Sequence, residues 1–198
     1  MSGDNGERRM VGSIEVWCGG MFSGKTEHLI RALRREKRAK RRVFAFKPVV
    51  DDRYHAEDLA SHEGMHFTAV PVAHARDILN LAGWEPALVG VDEAQFFGPD
   101  IVDTVLDLAN RGHRVIVTGL DLDYRGMPFG SMSTLLCVAD TVSKLHAVCT
   151  TCGEVATRSQ RLVASHELTL VGGKSAYEAR CRAHWSPEPV FGDFRADE

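Results

Sequence analysis

Residues 19–26 read Gly19-Gly20-Met21-Phe22-Ser23-Gly24-Lys25-Thr26, two glycines bracketing four residues and then Lys and Thr. This is the pattern of a phosphate-binding loop. Its flanks give it meaning, because residues 14–18 read as a strand and residues 27–40 as a helix. A strand, a glycine-rich turn and a helix N-terminus converge backbone N–H groups on one phosphate. The glycines let the backbone approach the anion, Lys25 supplies charge for the β- and γ-phosphates, and the Thr26 hydroxyl suits Mg²⁺. A glycine-rich turn with a chance lysine is the plain alternative, and the strand–loop–helix setting disfavours it. The stretch predicts a nucleoside-triphosphate site, with Mg²⁺ accompanying ATP.

Outward from the loop, short apolar runs alternate with helical patterns. Strands are expected at 43–46, 87–91, 114–118 and 141–148, and helices at 77–83, 100–110 and 132–138. Helix 100–110 repeats Ile101, Val102, Val105, Leu106 and Ala109 at helical spacing. The alternation predicts an α/β fold, a P-loop NTPase-type parallel sheet with helices on both faces. Near-continuous apolar strands suit that double burial. From Cys149 the chain turns polar, with Gly172-Gly173 and a β-prone piece at 168–171. The expected organisation is a disordered tail (1–13), a phosphate-loop α/β domain (14–148), a small β-rich lobe (149–185) and a flexible tail (186–198). There is no internal repeat.

The size, 198 residues and 21.9 kDa, fits one main domain with a small appendage. A net charge of −3 gives no global basic field towards nucleic acid or membrane. No apolar run approaches the roughly 20 residues that span a bilayer. Residues 1–13 lack the apolar core of a signal peptide, so a cytoplasmic location is expected. Five cysteines without a secretory signal argue against a disulfide framework. Residues 31–42 hold eight Lys or Arg. A solvated helix face is the better reading than a nucleic-acid patch, since aromatics are not interleaved.

Val91-Asp92-Glu93-Ala94-Gln95 ends an apolar strand. Beside a phosphate loop, an Asp that coordinates Mg²⁺ belongs here, on the adjacent strand. Glu93 would project towards the γ-phosphate, where a carboxylate can take a proton from a hydroxyl. The bland reading is a strand end decorated with acids. Farther on, Cys149-Thr150-Thr151-Cys152 and Cys181-Arg182-Ala183-His184 form two paired knuckles. Four Cys or His ligands in two pairs close a tetrahedral structural zinc site. Free thiols with a surface His184 are the alternative, and His146 and His166 lack the paired spacing. Zinc would stabilise a lobe too small to hold itself together by apolar burial.

With these motifs in order, the chain resembles the type II, zinc-containing cytosolic thymidine kinases, from about residue 14 to 185. The signposts are the loop at 19–26, Asp51-Asp52-Arg53-Tyr54, Ser61-His62, Val-Asp-Glu-Ala-Gln-Phe-Phe at 91–97, Gly-Leu-Asp-Leu-Asp-Tyr-Arg-Gly-Met-Pro-Phe-Gly at 119–130, the two knuckles, and Gly172-Gly173 with Tyr177. The resemblance implies transfer of the γ-phosphoryl group of ATP to the 5′-hydroxyl of thymidine. It implies Glu93 as general base, and ATP contacts from residues 19–26 and Asp92 to Gln95. Thr26 and Asp92 would hold Mg²⁺ and phosphate, with Asp51 and Arg53. Thymine would lie in a slot of Met21, Phe96, Leu120, Tyr124, Phe129 and Tyr177. The base edge would be read by backbone of a lasso-like loop near 162–175, which carries Leu168 and Leu170. Phe97 is read as core. A homotetramer inhibited by thymidine triphosphate is likewise implied; that no nucleic-acid or membrane partner is expected follows from the net charge and the absence of a long apolar run. Relative to the family pattern, His184 replaces a fourth cysteine, Ala94 a glycine and Tyr124 a phenylalanine.

Two other classes compete. A nucleic-acid-dependent ATPase would also use Asp92-Glu93-Ala94-Gln95, but such motors usually need a second similar domain, and the chain has no basic net charge. A regulatory zinc module that only binds nucleotide has no need of Lys25, Thr26, Asp92 and Glu93 together.

Overall fold

The computed structural model describes residues 11–49, 58–60, 64–164, 167–168 and 175–188. In chain order the elements are β1 (Ser13–Cys18), α1 (Lys25–Arg38), β2 (Val43–Pro48), β3 (Asp58–Ala60), β4 (His66–Thr68), β5 (Val70–Val72), α2 (Asp77–Ala82), β6 (Leu88–Val91), a 3₁₀ turn at Ala94–Phe96, α3 (Asp100–Asn110), β7 (Arg114–Gly119) and α4 (Met132–Val138). They are followed by β8 (Thr141–Lys144), β9 (Ala147–Val148), β10 (Val155–Ala156), β11 (Arg158–Arg161) and β12 (Tyr177–Arg180). Six strands form one parallel sheet in the order β5-β2-β6-β7-β1-β8. This is the expected P-loop-type α/β fold.

Strand periodicity sorts the two faces. Val16, Phe46, Val89, Val91, Val115 and Val117 point to one face, where they meet Ile78 of α2, Ile101 and Val105 of α3, and Met132 and Leu135 of α4. Ala45, Leu88 and Ile116 point to the other, where they meet Leu29, Ile30 and Leu33 of α1. Each of these three α1 side chains is fully buried and contributes roughly 1.5–3 kcal/mol. Gly90 faces α1, and a Cβ there would stand 3.0 Å from Leu29 Cδ1, so glycine lets helix and sheet close up. Phe97 lies in the first of these cores, as read from the sequence.

Four of the eight basic residues in 31–42 have a described ion pair. Arg31 pairs with Glu27, Arg41 with the buried Glu36 at 2.7 Å, and Arg42 with Glu85 at 2.6 Å. Arg114 pairs with Glu15 at 2.6 Å. That pattern fits the solvated-face reading.

The expected strand at 141–148 is two strands. Leu145 N donates to Cys18 O at 2.8 Å, closing the parallel pairing of β8. The chain then leaves the sheet, and β9 pairs antiparallel with β10. β11 and β12 make a second antiparallel ladder. Among the described residues, no helix is long and apolar enough to cross a membrane.

Candidate active site and metal cluster

The phosphate loop leaves the C-terminal end of β1 and runs into α1. Gly19 has φ +142°, and a Cβ there would stand 2.2 Å from Leu145 O. Gly24 has φ +81° and lets the helix begin at Lys25, two residues earlier than the sequence suggests. Ser23 Oγ donates to Gly20 O at 2.8 Å. Lys25 Nζ donates to the same carbonyl at 2.7 Å. Met21 N donates to Ser159 Oγ of β11 at 2.9 Å, which ties the loop to the lobe.

Asp92 follows β6, but β7 lies between β6 and β1, so its strand is not adjacent to the loop's strand as expected. The side chain spans the gap. Asp92 Oδ2 accepts from Thr26 Oγ1 at 2.9 Å. Its Oδ1 accepts from Thr118 Oγ1 of β7 and from Glu93 N at 3.0 Å. Burial, then the neighbouring Glu93 carboxylate, pushes the Asp92 carboxyl up to about 6, although Thr118 and Thr26 favour its ionised form. Glu93 stands in the left-handed region at φ 51°. Such a backbone is uncommon for a non-glycine residue and turns the chain sharply after the strand. Its carboxylate accepts from Gln95 Nε2. Gln95 Oε1 in turn accepts from Leu120 N at 3.0 Å. Ala94 lies wholly in the core, and Gln95 is buried.

Electrostatically the site is short of positive charge. Burial pushes the Lys25 ammonium down, while Glu93, Asp92 and Asp121 hold it up. Asp121 is buried and pairs with Lys144 at 2.6 Å. Its Oδ1 has no hydrogen-bond partner among the described residues. Hard oxygen donors at Thr26 and Asp92, in a group where carboxylates outnumber the lysine, fit a small divalent cation.

Beside the loop lies a pocket of about 390 Å³, part of it open to solvent. Every base-slot candidate on a described residue lines it: Met21, Phe96, Leu120, Tyr124, Phe129 with Tyr177, and Leu168. Phe96 and Phe129 meet edge to face at 5.7 Å. Met21 belongs to both loop and pocket. Leu122 and Asp123, which lie in the 119–130 signpost but are not among the slot candidates, also line it, as does Ser159, which escaped the sequence reading. Asp123 is engaged by Arg125 at 2.7 Å. Asp51, Arg53 and Leu170 lie outside the described residues, as do Ser61-His62, His166, Gly172-Gly173 and much of the two tails.

The two knuckles converge. Cys149 and Cys152 sit in the turn between β9 and β10, closed by Cys149 N to Glu154 O at 2.8 Å and Gly153 N to Cys149 O at 2.9 Å. Cys181 follows β12, and His184 N donates to Cys181 O at 3.2 Å. Thr150 N to Ala179 O at 3.0 Å joins the turns. The four ligand atoms lie within 4.8 Å of one another. Cys152 and Cys181 sulfurs are 3.8 Å apart, and His184 Nδ1 is 3.2 Å from Cys181 Sγ and 4.0 Å from Cys149 Sγ. Zinc bonds of about 2.3 Å to sulfur and 2.0 Å to nitrogen give tetrahedral edges of roughly 3.8 and 3.5 Å. The set fits zinc. Burial raises the Cys149 thiol, but backbone N–H groups of Cys181, Thr151 and Cys152 bring it down to about 6, favouring the thiolate that a metal needs.

The family model for thymidine kinase matches residues 12–185. That span takes in β1, the phosphate loop, the strand-end acids, the aromatic pocket and the metal cluster alike. An ATP-dependent nucleoside kinase must hold a phosphate donor beside a nucleoside, and a phosphate-loop pattern beside an aromatic pocket is in keeping with that; the chain belongs to the thymidine kinase family.

Proposed function

We propose that the chain transfers the γ-phosphoryl group of ATP to the 5′-hydroxyl of thymidine, as a step of pyrimidine salvage, with deoxyuridine, one methyl smaller, the alternative acceptor to be tested. The observation that carries this reading is a single residue, Met21, shared by a phosphate loop and an aromatic pocket. A flat base stacked in that pocket would hold its sugar towards the loop.

In this reading, backbone N–H groups of residues 19–26 and the Lys25 ammonium bind the donor phosphates. Mg²⁺, held by Thr26 and Asp92, would neutralise charge on the transferred group. Lys25 exchanges Gly20 O for phosphate oxygen. Glu93 accepts the 5′-hydroxyl proton, and its Gln95 partner holds the carboxylate in place. Asp51 and Arg53 join the phosphate side. Met21, Phe96, Leu120, Tyr124, Phe129 and Tyr177 sandwich the base, with Leu168 and Leu170 at the lobe loop. Catalysis then rests on positioning and charge stabilisation. A zinc ion on Cys149, Cys152, Cys181 and His184 stabilises the lobe that supplies Tyr177. Reduced thiols there accord with a cytoplasmic setting. A homotetramer and feedback inhibition by thymidine triphosphate complete the proposal; a monomer at all concentrations by light scattering would remove the first.

The test incubates the protein with Mg²⁺ and γ-labelled ATP against thymidine, deoxyuridine, the other deoxynucleosides and single-stranded DNA. Label in thymidine monophosphate is expected, with turnover reduced by at least about 100-fold in Glu93→Gln while ATP still binds. Free phosphate only, accelerated by DNA, would instead support the ATPase and make Glu93 an activator of water. Unchanged turnover in Glu93→Gln would remove it as base.

A further inference from the structure

Among the described residues, the largest side chain wholly removed from solvent is a cation. Arg161, at the end of β11, has a relative exposure of 0%. Burying a guanidinium is costly unless its donors are met and its charge is faced. The two Nη groups and the planar face of Arg161 meet these needs with parts of the pocket just described, while Nε finds no hydrogen-bond acceptor among the described residues. Its guanidinium carbon lies 3.7 Å from the centroid of the Tyr124 ring and 5.3 Å from that of Tyr177. Nη2 donates to the Tyr177 hydroxyl and, at 3.2 Å, to the Leu168 carbonyl. Nη1 donates to the Glu167 carbonyl. Tyr124, Tyr177 and Leu168 line the pocket, and Arg161 stands behind them.

The ladder explains the placement. Arg161 is registered directly opposite Tyr177, and Ser159 opposite Ala179. Residues two apart on a strand share a face, so Ser159 and Arg161 point the same way. Ser159 accepts from Met21 N of the phosphate loop. One face of β11 thus serves the donor loop at one position and the pocket walls at the other.

We propose that Arg161 is a positioning residue for the acceptor nucleoside. Its planar cation fixes the Tyr124 ring, the Tyr177 hydroxyl and the segment at Glu167 and Leu168, so three separate stretches of chain reach the pocket in one arrangement. A lysine cannot reproduce this, because a point ammonium neither stacks flat nor donates from a rigid fork. Desolvation strengthens the ring contact. An assembled pocket spares the nucleoside the cost of ordering it, so loss of Arg161 falls on nucleoside binding more than on ATP binding or the chemical step.

The inference rests on the base-pocket reading above, and its test separates the two. Arg161→Lys is compared with the parent by calorimetric binding of thymidine, KM for thymidine and for ATP, kcat, and zinc content. Thymidine Kd and KM are expected to rise about 30-fold, equivalent to roughly 2 kcal/mol. ATP KM should stay within about twofold and zinc should be retained. Tyr177→Phe keeps the ring and removes one acceptor, and should raise thymidine KM about fivefold, with a smaller effect in the Arg161→Lys background. If Arg161→Lys does not fold, Tyr177→Phe decides alone, and unchanged thymidine KM would overturn the proposal. So would a zinc-replete Arg161→Lys with unchanged thymidine affinity, or one losing both substrates equally. A parent protein that binds no thymidine would overturn the pocket reading, and this role with it.

Discussion

Replacing Asp92 by Asn should make the nucleotide-free protein more stable at neutral pH while impairing its use of ATP. The carboxyl is buried and faces Glu93, and its pKa stands at about 6 rather than 3.8. At about 1.4 kcal/mol per pH unit, keeping Asp92 ionised above pH 6 costs the fold on the order of 3 kcal/mol. The sign follows from proton counts. Between pH 4 and 6 the folded chain holds the proton more firmly than the unfolded chain, so stability falls as pH rises through that window. An asparagine removes the term and can keep the geometry. Its carbonyl can accept from Thr118 and Glu93 N, while Thr26 Oγ1 turns from donor to acceptor. Against this gain, Lys25 loses one of its compensating carboxylates but keeps Glu93 and Asp121. A net gain of about 2 kcal/mol raises the melting temperature by roughly 4–8 °C in a chain of this size. The assay is thermal unfolding of parent and variant from pH 4 to 8, free of nucleotide and Mg²⁺ and without chelator, which would strip zinc. The difference should grow between pH 4 and 6 and then level off. Added Mg·ATP should stabilise the parent by far more than the variant. A variant equal or inferior to the parent at pH 8, or a difference indifferent to pH, would refute the reasoning.

Two further substitutions probe the frame of the site. Gly19→Ala combines a φ of +142° with a Cβ 2.2 Å from Leu145 O; it should cost at least about 3 kcal/mol, lower the melting temperature by roughly 6–12 °C and abolish ATP binding by calorimetry. Cys152→Ser removes one of the four metal donors, so a colorimetric zinc assay should read well below one ion per chain, and thymidine turnover should fall with it while the helical circular dichroism of the α/β part persists. Full zinc content in that variant would show that the ligand set is wrong.

The sheet was legible because its strands are continuous apolar runs, and α3 because its apolar residues recur at helical spacing. The failures have local causes. β3, β4 and β5 span three residues each, and β5 carries Pro71 at the sheet edge, where a missing N–H is tolerated. After Lys144 the chain makes one last bond to β1, from Leu145 N to Cys18 O, and then leaves the sheet, a departure that no local pattern announces. β11 reads Arg-Ser-Gln-Arg, a string that looks exposed; yet Ser159, Gln160 and Arg161 are all buried, because each finds partners from distant segments. In the site, spacing found the loop, the acids and the metal knuckles, since their chemistry demands fixed neighbours. It missed Thr118 and Ser159, single hydroxyls whose importance is visible only once strands are paired. It also set Asp92 one strand too close, because sheet order is a property of crossovers.

The hydrogen bond from Met21 N to Ser159 Oγ makes the donor loop's backbone a tenant of the lobe strand. Linkage through such a joint runs equally in both directions: whatever factor nucleoside binding applies to ATP affinity, ATP must apply to nucleoside affinity. A non-reactive ATP analogue should therefore shift nucleoside affinity by the same factor by which nucleoside shifts the affinity of the analogue, and titrations run in both orders measure that one number.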